Sequence, residues 1–103
     1  MTVYVTQELK GRDLSSALEF GELQVVVPAN VEITPDNFPE VMQTVFSAMV
    51  SFDCRMDYLL LSGNPVVMGL VWQRAAEEAY EKDTSLRVLR WDRIDSRYVL
   101  FDV

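Results

Sequence analysis

The sequence predicts an α/β protein with a single domain, residues 1–103, built on a mixed, mostly parallel sheet of about five strands. Residues 57–81 carry the main signal, because a short apolar run, a tight turn and a helix that opens with a second apolar run follow one another there. This succession is typical of a buried strand that leads into a buried helix, the half-unit of parallel α/β sheets. A second signal is the pair of strand-like runs near residue 90, which predicts a C-terminal β-hairpin beside the two main helices.

The first half of the chain alternates strand-like and helical patterns. Val3–Thr6 and Leu23–Val27 are β-branched or apolar runs and predict two strands. Between them, Asp13 is placed to cap a short helical turn that ends at Gly21. A helix is expected from about Phe38 to Ser51, since apolar residues recur there at helical spacing. That stripe consists of Phe38, Val41, Met42, Val45, Phe46, Met49 and Phe52.

The second half predicts the centre of the sheet and its last strands. Tyr58–Leu61 is the third strand, and Pro65–Glu81 is the second helix, whose Gly69 would let it approach the sheet closely. Leu86–Trp91 and Arg97–Val103 are the fourth and fifth strands, and the short polar turn between them makes this pair antiparallel. We expect a right-handed crossover between the third and fourth strands, with the fifth strand at or near a sheet edge.

Net charge limits the classes of partner. The chain carries 16 acidic and 9 basic side chains, a formal charge of −7. Binding to nucleic acid or to an anionic membrane surface requires a basic face, so both partners are disfavoured. A negative surface suits a basic protein partner, although it also serves solubility alone. The longest apolar run, Val66–Trp72, is too short to span a bilayer.

The residues used in most catalytic and metal chemistry are missing. Histidine is absent, which excludes Ser-His-Asp and Cys-His catalysis, and the single cysteine, Cys54, leaves no zinc ligand set. We therefore expect no metal, no cofactor and, on balance, no enzymatic activity. One cysteine also excludes an internal disulfide and fits a reducing cytosol, and the first residues show no secretion signal. A cytoplasmic protein with a buried, inert Cys54 is expected.

The turn after the third strand is the first candidate site. Asn64 suits the N-cap of the following helix, Pro65 suits its first turn, and Gly63 allows a tight bend. The amides at the start of a helix carry partial positive charge and attract anions. The alternative is an ordinary capped turn between a strand and a helix. The segment matches neither the dinucleotide-binding glycine pattern nor a P-loop.

A pocket is expected where the first strand ends beside this turn. If the first and third strands are parallel, Thr6 and Gln7 lie at the same sheet edge as Ser62, Gly63 and Asn64. These five residues would form a polar, neutral pocket that holds a nucleotide or another small anion through hydrogen bonds. Polar residues at strand ends are common, so a structural role remains the alternative.

Arginines and aromatic residues alternate in the tail. Such alternation binds single-stranded nucleic acid in some proteins, but here four arginines are offset by three aspartates. Ion pairs on the hairpin surface are the favoured interpretation. The charged residues are Arg87, Arg90, Arg93, Arg97, Asp92, Asp95 and Asp102. Trp91, Arg93 and Tyr98 are candidate interface residues if the aromatic rings are exposed, whereas packing is the other explanation for Trp91.

Two segments carry a family resemblance. Tyr58–Pro65, followed by Val88–Arg93 and Tyr98, resembles a family of small uncharacterised proteins encoded by bacteriophages and some bacteria. The resemblance covers roughly the last half of the chain. It implies a cytoplasmic accessory protein of viral or mobile-element origin, and it implies no activity or functional residues.

Two functional hypotheses follow. The first is an acidic, cytoplasmic, non-enzymatic accessory protein that binds a protein partner through its acidic surface or an exposed sheet edge. Self-association through the last strand, as a homodimer, is one form of this hypothesis. The second is a Rossmann-like domain that binds or sequesters a nucleotide or small anion at Ser62-Gly63-Asn64.

Overall fold

The fold is a five-stranded mixed sheet with two α-helices and one short 3₁₀ helix, as a computed structural model of residues 1–103 shows. The strands lie in the order β2-β1-β3-β4-β5. All neighbouring strands are parallel except β4 and β5, which form an antiparallel hairpin. The elements are β1 Thr2–Gln7, the 3₁₀ helix Ser15–Glu19, β2 Glu22–Val27, α1 Phe38–Met49, β3 Tyr58–Leu60, α2 Pro65–Glu81, β4 Arg87–Asp92 and β5 Arg97–Asp102.

The strand order confirms the predicted fold class. β3 is the central strand, its three residues are all buried, and β5 lies at an edge. The chain moves from β1 to β2 in one direction across the sheet, and from β2 to β3 and β4 in the other direction. Right-handed crossovers therefore place the first connection on one face and both α-helices on the opposite face.

The two α-helices cover what we call the helical face of the sheet. Their apolar stripes bury Val45 of α1 and Val71 of α2 against Tyr4 and Leu59. α1 lies over β2 and α2 lies over β1. The helices also touch each other, and the exposed side of their contact is covered by the guanidinium of Arg74, which lies 4.7 Å from the centre of the Phe46 ring. On this face Val88 of β4 is buried in the same core, whereas Phe101 of the edge strand β5 is exposed.

The other face is covered by the segment that contains the 3₁₀ helix, and we call it the 3₁₀ face. Ala17 is fully buried there against Val5, Leu60 and Leu89, and Tyr98 of β5 completes this smaller core. Strand residues alternate between the two cores because successive side chains point to opposite faces. The central strands are therefore buried on both sides, as parallel strands usually are.

The start of α2 agrees with the sequence. Asn64 occupies the N-cap, its side chain accepts a hydrogen bond from the Val66 N–H at 2.8 Å, and Pro65 opens the helix. Gly69 is exposed and nothing lies near the position of an added Cβ, so its predicted role in close approach to the sheet is wrong. None of the helices is both long and apolar enough to cross a membrane.

Two predicted details of the first half differ. α1 ends at Met49, two residues earlier than expected, and the chain then turns toward Phe52, whose amide donates to the Met49 carbonyl at 3.1 Å. Asp13 does not cap the 3₁₀ helix, because Leu14 holds the N-cap position without a side-chain bond. The Asp13 carboxylate instead accepts the Ser15 N–H at 2.9 Å and shapes the preceding turn.

The central position of β3 predicts a large energetic contribution from Leu59. This side chain is fully buried on the helical face, so Leu59→Ala removes contacts and leaves a cavity. We expect the free energy of unfolding to fall by about 2–5 kcal/mol. Leu18→Ala, at an exposed position of the 3₁₀ helix, is the matched control and should change it by less than about 0.5 kcal/mol. Urea denaturation measures both, and equal losses would contradict the central placement.

Candidate functional site

The carboxyl ends of β1 and β3 lie side by side, as the predicted pocket requires. The connection that leaves β1 runs over the 3₁₀ face, whereas the one that leaves β3 enters α2 on the helical face. Such a reversal is the topological switch point at which open α/β sheets usually bind ligands. Thr6, Gln7, Ser62, Gly63 and Asn64 all meet at this point.

A closed set of hydrogen bonds joins the two strand ends. The Thr6 hydroxyl donates to the Ser62 carbonyl at 2.6 Å, and the Ser62 N–H donates back to the Thr6 hydroxyl at 2.9 Å. The Ser62 hydroxyl donates to the Gln7 carbonyl at 2.5 Å. Thr6 and Ser62 are both buried, so these bonds satisfy polar groups that water does not reach.

The Gln7 side chain, at the end of β1, connects the loops that follow β2 and β3. Its amide nitrogen donates to the carbonyls of Val31, at 3.0 Å, and Pro28, at 3.3 Å. Its amide oxygen accepts the Asn64 N–H at 2.8 Å. Gln7 is only 6% exposed, and the larger clefts of the surface are lined by other residues. The side chain therefore acts as a latch across the switch point.

Gly63 is required by this latch. Its φ is +86°, a left-handed conformation, and an added Cβ would overlap the Gln7 side chain, with the Gln7 Oε1 only 2.7 Å away. Only glycine satisfies both conditions without strain. The sequence indicated that a tight turn needs Gly63, but it gave no sign that Gln7 packs directly against it.

Two glycines of this region should respond in opposite ways to alanine. Gly63→Ala forces a left-handed backbone and a collision with Gln7, so we expect a loss of about 2 kcal/mol in the free energy of unfolding. Gly69→Ala is the matched control in an open position of α2 and should gain about 0.5–1 kcal/mol. Urea denaturation measures both changes. An unchanged free energy of unfolding in Gly63→Ala would contradict the close packing of Gln7 against Gly63.

The three candidate interface residues of the tail lie in different environments. Tyr98 is 1% exposed and belongs to the core of the 3₁₀ face. Trp91 is partly buried, stands edge-on to the Tyr98 ring at 5.1 Å between centres, and has the Arg12 guanidinium 5.9 Å above it. Arg93 is exposed in the hairpin turn beside Ile94. The structure brings the rings of Trp91 and Tyr98 together, and no contact of Arg93 with either ring is present.

The prediction that the hairpin arginines pair with the hairpin aspartates is wrong. The ion pairs of the protein join Arg74 to Glu77, and Lys82 to both Glu78 and Asp53. Arg87 instead lies over the ring of Tyr58, at 4.2 Å from its centre, and donates to the Tyr58 hydroxyl at 3.2 Å and to the Arg55 carbonyl at 3.0 Å. The prediction failed for Arg87 because its side chain lies against Tyr58 of the neighbouring strand β3, whereas it was expected to pair with an aspartate of its own hairpin.

The free edge of β5 is the exposed feature that needs explanation. Leu86 and Val103 exchange both backbone hydrogen bonds, at 2.9 and 2.8 Å. Because hydrogen-bonded and non-hydrogen-bonded pairs alternate in an antiparallel pair of strands, this pair determines which residues of β5 bond to β4. The backbone groups that bond to β4 are therefore those of Val103, Phe101, Val99 and Arg97. The backbone groups that point away from β4 belong to Tyr98, Leu100 and Asp102.

One of these outward groups is protected by the 3₁₀ helix. The Ser16 hydroxyl accepts the Tyr98 N–H at 3.2 Å, so the edge is blocked at its hairpin end. The N–H and C=O groups of Leu100 and Asp102 have no such cover. Edge strands with open backbone groups are templates for pairing with another strand.

The side chains along the open part of β5 are apolar on the helical face. Phe101 lies opposite Val88 of the helical-face core, so Val99 and Val103 share that face with it. Phe101 is 46% exposed and Val103 is 61% exposed, although Val88 of the neighbouring strand β4 is buried. The opposite edge, β2, presents Glu22 and Gln24 instead. We call Val99, Phe101 and Val103 the β5 strip.

A second cluster joins the turn before β3 to the end of α2. The Cys54 N–H donates to one oxygen of Glu78 at 2.8 Å, and the Lys82 ammonium bonds the other oxygen at 2.6 Å. Asp53, Cys54 and Glu78 bring ligand-type atoms within 4.8 Å of one another, but Lys82 already supplies the compensating positive charge. Burial, followed by the Glu78 charge, raises the pKa of the Cys54 thiol, which disfavours the reactive thiolate.

Asp53 gives this cluster a pH dependence. Its carboxylate accepts the Arg55 N–H at 3.0 Å, and this bond is the main reason that its pKa is lowered. A lowered pKa contributes stability above the ordinary value near about 4, and this stability is lost as the pH falls through the lowered pKa. Asp53→Asn should therefore flatten the fall in stability below about pH 4. Urea midpoints measured across pH for wild type and Asp53→Asn test this prediction. The same fall in stability at low pH in both proteins would contradict it.

Comparison with known proteins identifies the lineage. The family model described as "Phage Pam3 gp32-like protein" matches residues 1–103. The chain belongs to this phage protein family. The match spans the whole chain, so the resemblance to phage proteins is confirmed and extends well beyond the second half. Neither a curated protein nor a solved structure matches the chain.

Proposed function

We propose that this phage protein is a non-enzymatic accessory protein of the infected cell's cytoplasm that binds a protein partner through the open edge of β5. The observation that carries the proposal is the pair of uncovered backbone residues, Leu100 and Asp102, beside the apolar β5 strip. A partner segment in extended conformation would add a sixth strand to the sheet. Backbone hydrogen bonds would provide affinity and the strip would provide specificity.

The distribution of charge supports this surface over others. Residues 86–103 carry four arginines and three aspartates, whereas residues 1–85 carry thirteen acidic and five basic side chains. The acidic remainder repels nucleic acid and anionic membranes. The hairpin is nearly neutral, so a protein strand of either charge meets little repulsion there. The proposal requires no metal and no cofactor.

A small anion or nucleotide at Ser62-Gly63-Asn64 is the alternative proposal. Its support is the position of this turn at the switch point and at the start of α2. Binding there requires the Gln7 amide to leave its contacts with Val31 and Asn64. A ligand at a hundredfold its Kd would stabilise the fold by about 2.7 kcal/mol, so thermal unfolding with mono-, di- and cyclic nucleotides tests this alternative, and unchanged melting temperatures would reject it.

Site-specific photo-crosslinking in infected cells tests the β5 proposal. A benzophenone amino acid placed at Phe101 should give a discrete crosslinked product, because a docked strand would contact this position. The matched control is the same amino acid at Tyr80, which is 89% exposed on the outer side of α2. The same products from both positions, or none from Phe101, would overturn the proposal.

Leu100→Pro provides the second arm of that experiment. Its N–H points away from β4, so proline removes a docking donor without removing a hydrogen bond of the hairpin. We expect the Phe101 product to fall at least about tenfold, as the loss of a buried backbone bond or two would cause. Leu100→Val keeps the N–H and should retain the product. Circular dichroism on the purified variants confirms that each remains folded.

A further inference from the structure

We infer that the strand that pairs with β5 is β5 of a second copy, antiparallel, with Phe101 facing Phe101 across a two-fold axis. The inference rests on the proposed function and names its partner. This strand pairing joins two five-stranded sheets into one continuous ten-stranded sheet. A two-fold axis perpendicular to the sheet continues each face of one copy into the same face of the other.

The backbone selects this register. With Phe101 opposite itself, Leu100 lies opposite Asp102 of the second copy, and both residues present their groups to the free edge. The Leu100 N–H donates to the Asp102 carbonyl of the second copy, and the Asp102 N–H of that copy donates to the Leu100 carbonyl. The symmetric pair repeats this exchange. All uncovered groups of Leu100 and Asp102 in both chains are then satisfied.

Ser16 excludes the registers shifted toward the hairpin turn. A dimer centred on Leu100 would pair Tyr98 with Asp102 of the second copy, and it would need the Tyr98 N–H. That N–H already donates to the Ser16 hydroxyl at 3.2 Å. The register centred on Phe101 leaves this bond intact. Ser16 therefore occupies the outward N–H of Tyr98, and the outward backbone groups of Leu100 and Asp102 remain free to pair with the second copy.

The side chains are self-complementary in the same register. The two Phe101 residues form a non-hydrogen-bonded pair, the closer kind, with Cα atoms about 4.5 Å apart. Val99 lies opposite Val103 of the second copy on the same face, so the two β5 strips form one six-residue apolar cluster. On the 3₁₀ face, Leu100 lies opposite Asp102 of the second copy, so no two like charges face each other.

The charge distribution favours contact at this edge. Each copy carries −7, and the acidic side chains concentrate outside residues 86–103. Two copies that meet at β5 bring their least acidic surfaces together. The remaining repulsion between the copies is screened by salt, so the dimer should become more populated as the salt concentration rises.

Disulfide trapping tests the register. In Phe101→Cys the two thiols would face each other at a separation that a disulfide spans, and oxidised glutathione should convert most of the protein into a covalent dimer. In Val99→Cys, the matched control, the two thiols would lie four residues apart along the strands, about 13 Å, and should remain reduced. Cys54 is buried and does not compete. Equal trapping of both variants would overturn the register.

Sedimentation velocity tests the dimer without an introduced cysteine. From about 1 µM to about 1 mM, wild type should change from monomer to dimer, as small interfaces do. Leu100→Pro should remain monomeric, and Phe101→Ser should need an at least about tenfold higher concentration to dimerise. Tyr80→Ser is the matched control for loss of an exposed aromatic ring and should dimerise like wild type. A wild type that stays monomeric throughout would overturn the inference.

The two proposals fail separately. A monomeric wild type that still gives a Phe101 crosslink to a different protein rejects self-pairing and leaves strand addition in place. Absence of both the dimer and every Phe101 crosslink rejects the two together. A dimer whose Phe101→Cys variant is trapped far faster than Val99→Cys supports both.

Discussion

The parallel pairing of β1 with β3 is the constraint on which this structure depends. The two strands lie at the middle of the sheet, and the Thr6–Ser62 bonds hold their ends in register. Parallel strands cannot be joined by a tight turn, so each connection between two parallel strands must cross a face of the sheet. The right-handed rule then sends the β1–β2 connection to one face and both α-helices to the other. The two separate cores follow from this single pairing.

The crevice that such a topology creates is filled by the chain itself. In open α/β sheets the switch point is the usual ligand position, because loops diverge there and leave room. Here the Gln7 side chain spans that room and bonds the loops that follow β2 and β3, while Gly63 packs against it. The same backbone geometry therefore stabilises the fold at the place where open α/β sheets usually hold a ligand. This arrangement favours a function at the periphery of the sheet.

The periphery is asymmetric, and the asymmetry has a structural origin. α1 packs beside α2 and lies over β2, and α2 lies over β1, while Phe101 and Val103 of β5 stay exposed on the helical face. The 3₁₀ helix covers the other face and reaches round to the edge through Ser16. One donor of β5 is thereby protected and the next residues are left open. Proteins usually protect edge strands more completely than this, and the proposed function depends on that difference.

The order and type of the elements could be predicted from local patterns. Pro65–Glu81 has the predicted bounds, because Asn64 and Pro65 are strong start signals, and the strand–turn–helix around Ser62 is likewise local. The expected meeting of Thr6 with Ser62 also occurs, since parallel strands bring their carboxyl ends together. The ligand role of that turn and the interface role of Arg93 remain predictions.

By itself, the sequence determined the α/β class, the hairpin and the absence of histidine chemistry, because each depends on residue type or on spacing along one segment. Tertiary structure alone decided that Tyr98 is buried, that Arg87 lies over Tyr58, and that Gln7 fills the switch point. It also decided which amides of β5 stay open. These properties depend on which face each strand turns toward its neighbours and on where Ser16 comes to lie. Contacts between residues 21 to 82 positions apart set them, and no local pattern records such contacts.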